Sequence, residues 1–200
     1  MIVSLTAENL ACARGERRLF DGLSFTVRAG QALAVEGANG AGKTSLLRLL
    51  AGFLAPFAGR VVVRTAQGDS DEAETRARLV GWLGHLDGLK PQMTVREQLS
   101  FYAHLYGVAV SDAVLEQVNL SRQADLPCRY LSAGQKRRLA LARLLVSNRP
   151  LWLLDEPFAA LDSAGQALVA QLMVRHCGQG GIVIAATHDP LGLANESLTL

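Results

Sequence analysis

The 200-residue chain is 50% hydrophobic, and its 20 lysines and arginines nearly balance 18 aspartates and glutamates, leaving a formal charge of +2. That is enough chain for one sizeable core, and the interspersed signs lack the basic excess expected of a protein that lives on nucleic acid. No apolar run approaches the roughly 18 residues of a membrane span, and Met1-Ile2-Val3-Ser4-Leu5 lacks the order of a signal peptide, so a cytoplasmic chain is expected, reaching any membrane through a partner.

Residues 2–6 and 23–27 have β character, and the turn Arg28-Ala29-Gly30 leads into the apolar run Ala32-Leu33-Ala34-Val35. A glycine-rich turn follows. The spacing then predicts a helix over 44–54, where Leu46, Leu47, Leu49 and Leu50 recur until Gly52 and Pro56 end the pattern. Val61-Val62-Val63 and residues 79–83 read as strands, and the charged stretch 69–78 as loop or short helix. From 94 to about 143 the pattern is helical: Thr94 and Glu97 are spaced as a capping box, and a second helix is predicted over 132–145. Strand pattern returns at 151–154 and 182–186.

This order predicts an α/β fold in one domain, a sheet core of about 1–88 and 147–200 interrupted by a helical subdomain of about 89–146. The run Lys136-Arg137-Arg138 is expected to be a solvated helix face. The scattered Cys12, Cys128 and Cys177 lack metal-ligand spacing and read as reduced thiols.

Gly37-Ala38-Asn39-Gly40-Ala41-Gly42-Lys43-Thr44 matches the phosphate-loop pattern in full, between a predicted strand and helix as the pattern requires. Its glycines let successive N–H groups turn toward a β-phosphate, and the helix N-terminus adds partial positive charge. Lys43 is the expected point charge on the β- and γ-phosphates, and the Thr44 hydroxyl an expected ligand of Mg²⁺. Asp155-Glu156 closes an apolar strand at its carboxyl end, where ligands of open α/β sheets sit. Asp155 is expected to hold Mg²⁺ through water, and Glu156 to act as general base on the attacking water.

Leu131-Ser132-Ala133-Gly134-Gln135, the phosphate loop, Asp155-Glu156, Ala160-Leu161-Asp162 and Thr187-His188-Asp189 together resemble the motifs of ATP-binding cassette (ABC) ATPases, in the order found there and over essentially the whole chain. The resemblance implies a P-loop NTPase with a RecA-like sheet core, an N-terminal antiparallel β part and a helical signature subdomain, using ATP and Mg²⁺. It implies a head-to-tail dimer with a second copy or a homologous ATPase, in which Ser132, Gly134 and Gln135 act in trans on the γ-phosphate held by the other subunit. Asp162 then looks like the dimer-contact aspartate and His188 like the histidine that orients water. Two positions depart from the family pattern. His85 stands where many members carry a magnesium-touching glutamine, with Gln92 as a substitute at unusual spacing and simple packing beside Trp82 as the other reading. Arg14 stands where an aromatic residue often stacks on adenine; a guanidinium plane can also stack, and Phe20 is a second candidate, read as core.

Leu83-Gly84-His85, Gly88-Leu89-Lys90, Phe101-Tyr102, the signature run and Leu151-Trp152 before Asp155-Glu156-Pro157-Phe158 narrow the resemblance to the ATP-binding subunits of the haem exporter of cytochrome c biogenesis. That implies integral-membrane partners, a place at the cytoplasmic face of the bacterial inner membrane, and hydrolysis that drives release of a haem-loaded chaperone. Cys and His show no haem-attachment spacing. An exporter ATPase for another cargo, or a soluble cassette on ribosomes or nucleic acid, are the alternatives; the latter calls for tandem cassettes or a basic extension. Residues 89–106 are the expected docking surface for the membrane subunit, or else ordinary helix core.

Overall fold

Two sheets of different character frame the chain, which a computed structural model describes over residues 1–200 except Glu16, Val110 and Asn195. The first is antiparallel and four-stranded, in the order β2-β1-β4-β5, from β1 (Ile2–Arg14), β2 (Arg17–Arg28), β4 (Ala58–Thr65) and β5 (Gly68–Ser70). The second is parallel and five-stranded, in the order β6-β7-β8-β3-β9, from β6 (Val80–Leu83), β7 (Leu151–Asp155), β8 (Ile182–Ala186), β3 (Ala32–Glu36) and β9 (Glu196–Thr199). Helices α1 (Lys43–Ala51), α2 (Ala73–Leu79), α3 (Val95–Tyr106), α4 (Ala113–Gln117), α5 (Ala133–Ser147) and α6 (Ser163–Gly178) complete the α/β fold.

Every residue of β7 and β8 is buried, as parallel strands covered on both faces must be. Their side chains alternate between two cores. Leu151, Leu153, Ile182 and Ile184 join Leu5, Leu10, Val27, Leu46 and Leu50 beneath the antiparallel sheet and α1. Trp152, Leu154, Val183 and Ala185 face Val95, Leu99, Leu139, Leu141, Leu172 and Met173 of α3, α5 and α6. The parallel sheet is therefore gripped from both sides, which fixes the carboxyl ends of its strands.

The helical stretch predicted from 94 to about 143 is broken. Gly107 in the left-handed conformation (φ 67) caps α3, and two 3₁₀ turns, Ser121–Gln123 and Cys128–Tyr130, intervene before α5. The Thr94–Glu97 capping box is formed as its spacing predicts. Helix α3 divides its apolar residues: Val95, Leu99 and Ala103 enter the core, whereas Phe101 and Leu105 stay exposed. Helix α6 and strands β5 and β9 have no counterpart in the sequence reading. All three cysteines are free and buried, and burial raises each thiol's pKa.

The basic run 136–138 is not a solvated face. Arg137 is only 3% exposed, and it lies on the same helical stripe as the buried Ala140, Leu141 and Leu144. Arg138 donates to the carbonyls of Val118 and Asn119 at 3.3 and 3.2 Å.

Candidate functional site

Four adjacent parallel strands deliver the chemistry-bearing residues at their carboxyl ends. The phosphate loop follows β3, Asp155-Glu156 ends β7, Thr187-His188 follows β8, and Gly84-His85 follows β6. Gly42 caps α1 with φ 113 and no side-chain hydrogen bond, so the first turn of the helix opens directly onto the loop. A Cβ there would lie 3.2 Å from Leu19 Cβ and 3.3 Å from the Phe20 ring. Glycine is needed both for the backbone conformation and for this approach. Phe20 thus buttresses the loop and packs on the core beneath the antiparallel sheet, as its reading as core expects.

Lys43 is nearly buried. Its Nζ donates to Gly37 O at 2.6 Å and Ala38 O at 3.5 Å, and to His188 Nε2 at 3.0 Å in the tautomer that leaves this nitrogen unprotonated. Thr44 Oγ1 donates to Asp155 Oδ2 at 2.8 Å. A hydroxyl paired with a buried carboxylate is a hard-oxygen set that suits Mg²⁺, which takes few protein ligands and keeps others for water and phosphate. Among the described residues no group of three or more His, Cys, Asp or Glu side chains is placed to hold a metal alone.

Glu156 is half-buried, and its Oε1 lies 3.9 Å from His188 Nε2. Its backbone is left-handed (φ 49), a conformation that costs a residue other than glycine about 1–2 kcal/mol. Three hydrogen bonds hold it there: Glu156 N donates to Ala186 O at 2.8 Å, while Glu156 O accepts from Ala159 N at 3.1 Å and Arg137 Nη2 at 2.6 Å.

A cavity of about 380 Å³ runs from Arg14 and Leu19 past Asn39, Gly40, Gly42, Lys43 and Thr44 to His85, Asp155 and Glu156. It unites Arg14 and His85 with the phosphate loop. His85 is exposed at this cavity, while Trp82 meets Phe53 edge-on with ring centroids 5.5 Å apart. Gln92 does not line the cavity, nor do Ser132, Gly134 and Gln135 at the start of α5, of which Ser132 is exposed and the other two are half-buried. There the Ser132 hydroxyl accepts from Gln135 N at 3.2 Å, and Ser132 N donates to Gln135 Oε1 at 2.9 Å. Asp162 caps α6 by accepting from Gly165 N at 2.8 Å. Leu19 and Ser45 line the cavity without having been singled out in the sequence. A larger hollow of about 560 Å³ on the antiparallel sheet contains the ion pairs Arg60–Glu8 at 2.7 Å and Arg64–Asp69 at 2.8 Å.

A family model described as ABC transporter matches residues 20–159, covering the phosphate loop, the signature and Asp155-Glu156. The chain belongs to the ABC transporter family. The cytochrome c biogenesis ATP-binding export protein CcmA of Rhodopseudomonas palustris (strain BisB5) is 50% identical over 198 residues, covering 98% of this chain and 97% of that protein. Its namesake in Hyphomonas neptunium is 48% identical over 189 residues, covering 94% and 91%. A putative ABC transporter ATP-binding protein from Pyrococcus furiosus shares the fold with a TM-score of 0.85 at 24% identity, over 98% of this chain and 97% of that one. A bacterial Atm1-family ABC exporter with ATP bound gives a TM-score of 0.82 at 26% identity, over 100% of this chain and 37% of that one.

Proposed function

We propose that the chain is the ATP-hydrolysing subunit of an ABC complex for cytochrome c biogenesis, in which hydrolysis drives release of a haem-loaded chaperone. The observation that carries this is the meeting of Lys43, the Thr44–Asp155 pair, Glu156 and His188 at adjoining strand ends, in a chain about half identical to export proteins named for that process.

In this reading the loop N–H groups and Lys43 cradle the β- and γ-phosphates of ATP, and Arg14 lies against the base. Thr44 and Asp155 hold Mg²⁺, which when bound neutralises phosphate charge. Glu156 takes a proton from water as its oxygen bonds to the γ-phosphorus and the bond to the β,γ-bridging oxygen breaks. His188 and His85 flank that water and the γ-phosphate. General-base assistance of this kind is worth about 10²- to 10⁴-fold in rate.

The open side of the γ-phosphate is closed by Ser132, Gly134 and Gln135 of a second copy, packed head to tail. Their location outside the cavity of their own chain supports this trans arrangement. ATP then favours the closed pair because only there does its γ-phosphate find partners from both subunits, and hydrolysis removes that preference. No helix among the described residues is long and apolar enough to cross a membrane. The proposed seat is the cytoplasmic face of the bacterial inner membrane, on integral-membrane partners that meet the helical segment of about 89–106. Phe101 and Leu105, 41% and 64% exposed, are the apolar side chains such a partner would cover. Affinity purification from native membranes tests this: multi-span proteins of cytochrome c maturation are expected with the chain. Recovery of other permeases, ribosomes or DNA in their place would overturn it.

A further inference from the structure

Buried Arg137 reaches the backbone of both loops whose side chains enter the cavity beside the phosphate loop. Its Nη2 donates to Asp155 O and Glu156 O, each at 2.6 Å. Its Nη1 donates to Gly84 O at 2.8 Å, one residue before His85, and to Asp87 Oδ1 at 3.1 Å. The orientation is dictated by these four acceptors and leaves the buried Nε without a partner among the described residues. We propose that Arg137 is a positioning residue for hydrolysis, fixing the left-handed backbone of Glu156 and the His85 loop to the start of α5. The proposal rests on the reading of Glu156 as the general base.

The chemistry of the side chain and its place on the helix both point this way. A guanidinium offers a rigid planar fork of donors, whereas a lysine ammonium is a single compact charge that cannot span two carbonyls on one side and two acceptors on the other. A charged donor on the Glu156 carbonyl restrains a backbone torsion (φ 49) that glutamate does not adopt readily. Arg137 also stands two residues beyond Gln135 on the continuous helix α5. A shift of the signature end toward nucleotide on the partner copy is therefore carried along a rigid element to Glu156 and His85 of its own chain. One helix serves two sites, its first residues in trans and Arg137 in cis.

The test compares Arg137→Lys and Arg137→Gln with the unsubstituted chain in ATP turnover, KM and melting temperature, and repeats Arg137→Lys on a Glu156→Gln background. Expected is a fall of tenfold or more in kcat with KM changed less than twofold and folding retained. On the Glu156→Gln background, single-turnover hydrolysis with excess protein should change less than twofold, because the group that Arg137 positions is already gone. Wild-type kcat in both variants would overturn the proposal. So would an undiminished further fall on the Glu156→Gln background, a KM that rises in step with the loss, or failure of both variants to fold. If the unsubstituted chain does not hydrolyse ATP, or Glu156→Gln turns over normally, the reading of Glu156 itself fails and takes the proposal with it. That result appears in proteins that retain Arg137, so the two failures are told apart.

Discussion

The Thr44 hydroxyl donates to Asp155 at 2.8 Å across a separation of 111 residues, joining the start of α1 to the end of β7. A bound Mg²⁺ would be held by the Thr44 hydroxyl and, through water, by the Asp155 carboxylate that the hydroxyl orients. Thr44→Ala should weaken Mg²⁺ dependence of ATP binding by about 10- to 100-fold, the scale seen when a group orienting a metal ligand is removed. Magnesium titrations of nucleotide affinity check this, and identical curves for the two proteins would leave the pair as a packing contact.

Glu156→Gln is expected to retain ATP and accumulate the closed dimer at high protein concentration, with turnover reduced about 10²- to 10⁴-fold. Size-exclusion chromatography with ATP, together with phosphate release, reads both effects. Full turnover in this variant removes Glu156 from its role.

His85 is exposed at the cavity, so little packing is lost when it is truncated. His85→Ala should lower activity coupled to cytochrome c maturation more than it lowers nucleotide affinity, at an unchanged melting temperature. Unchanged maturation would make His85 a spectator at the cavity wall.

A pH effect on stability is expected away from the site. His176 stacks on Trp152 with ring centroids 4.0 Å apart, and its Nε2 donates to Pro150 O at 3.2 Å. Burial pushes its pKa from 6.5 down to about 4. Between these values the unfolded chain binds a proton that the folded chain refuses, so stability falls as pH drops through that window. The full contribution, about 3 kcal/mol, is present above the unfolded value. Melting temperatures from pH 7 to 4 should fall more steeply for the native protein than for His176→Phe; equal slopes would remove His176 as the cause.

What the sequence disclosed follows from the range of the physics involved. The phosphate loop, Asp155-Glu156 and the Thr94 capping box were legible because each rests on residues within a few positions of one another. Leu151-Trp152-Leu153-Leu154 read as a strand, but that Leu151 and Trp152 enter opposite cores depends on two layers formed by distant segments. Arg137 was misread because charge outweighed position: its spacing to Ala140, Leu141 and Leu144 placed it on the buried stripe, and acceptors on residues 84, 87, 155 and 156, distant in the chain, explain how its two Nη groups are satisfied there. Strand β9 escaped notice because its pairing with β3 joins segments far apart in the chain, and its own residues are mostly exposed. The break after α3 turned on Gly107, whose left-handed cap outweighs the helical periodicity around it.

The reciprocal cap at the start of α5 bears on how two copies meet. Gln135 N already occupies a lone pair of the Ser132 hydroxyl, so the one hydrogen of that hydroxyl is free to point outward as a donor. In the proposed dimer, a phosphate on the facing copy meets a helix end whose rotamers are settled before encounter. Little conformational entropy remains to be lost on closure. The tightness of the pair is then set by how long the γ-phosphate lasts, and the lifetime of the closed state becomes a clock run by hydrolysis.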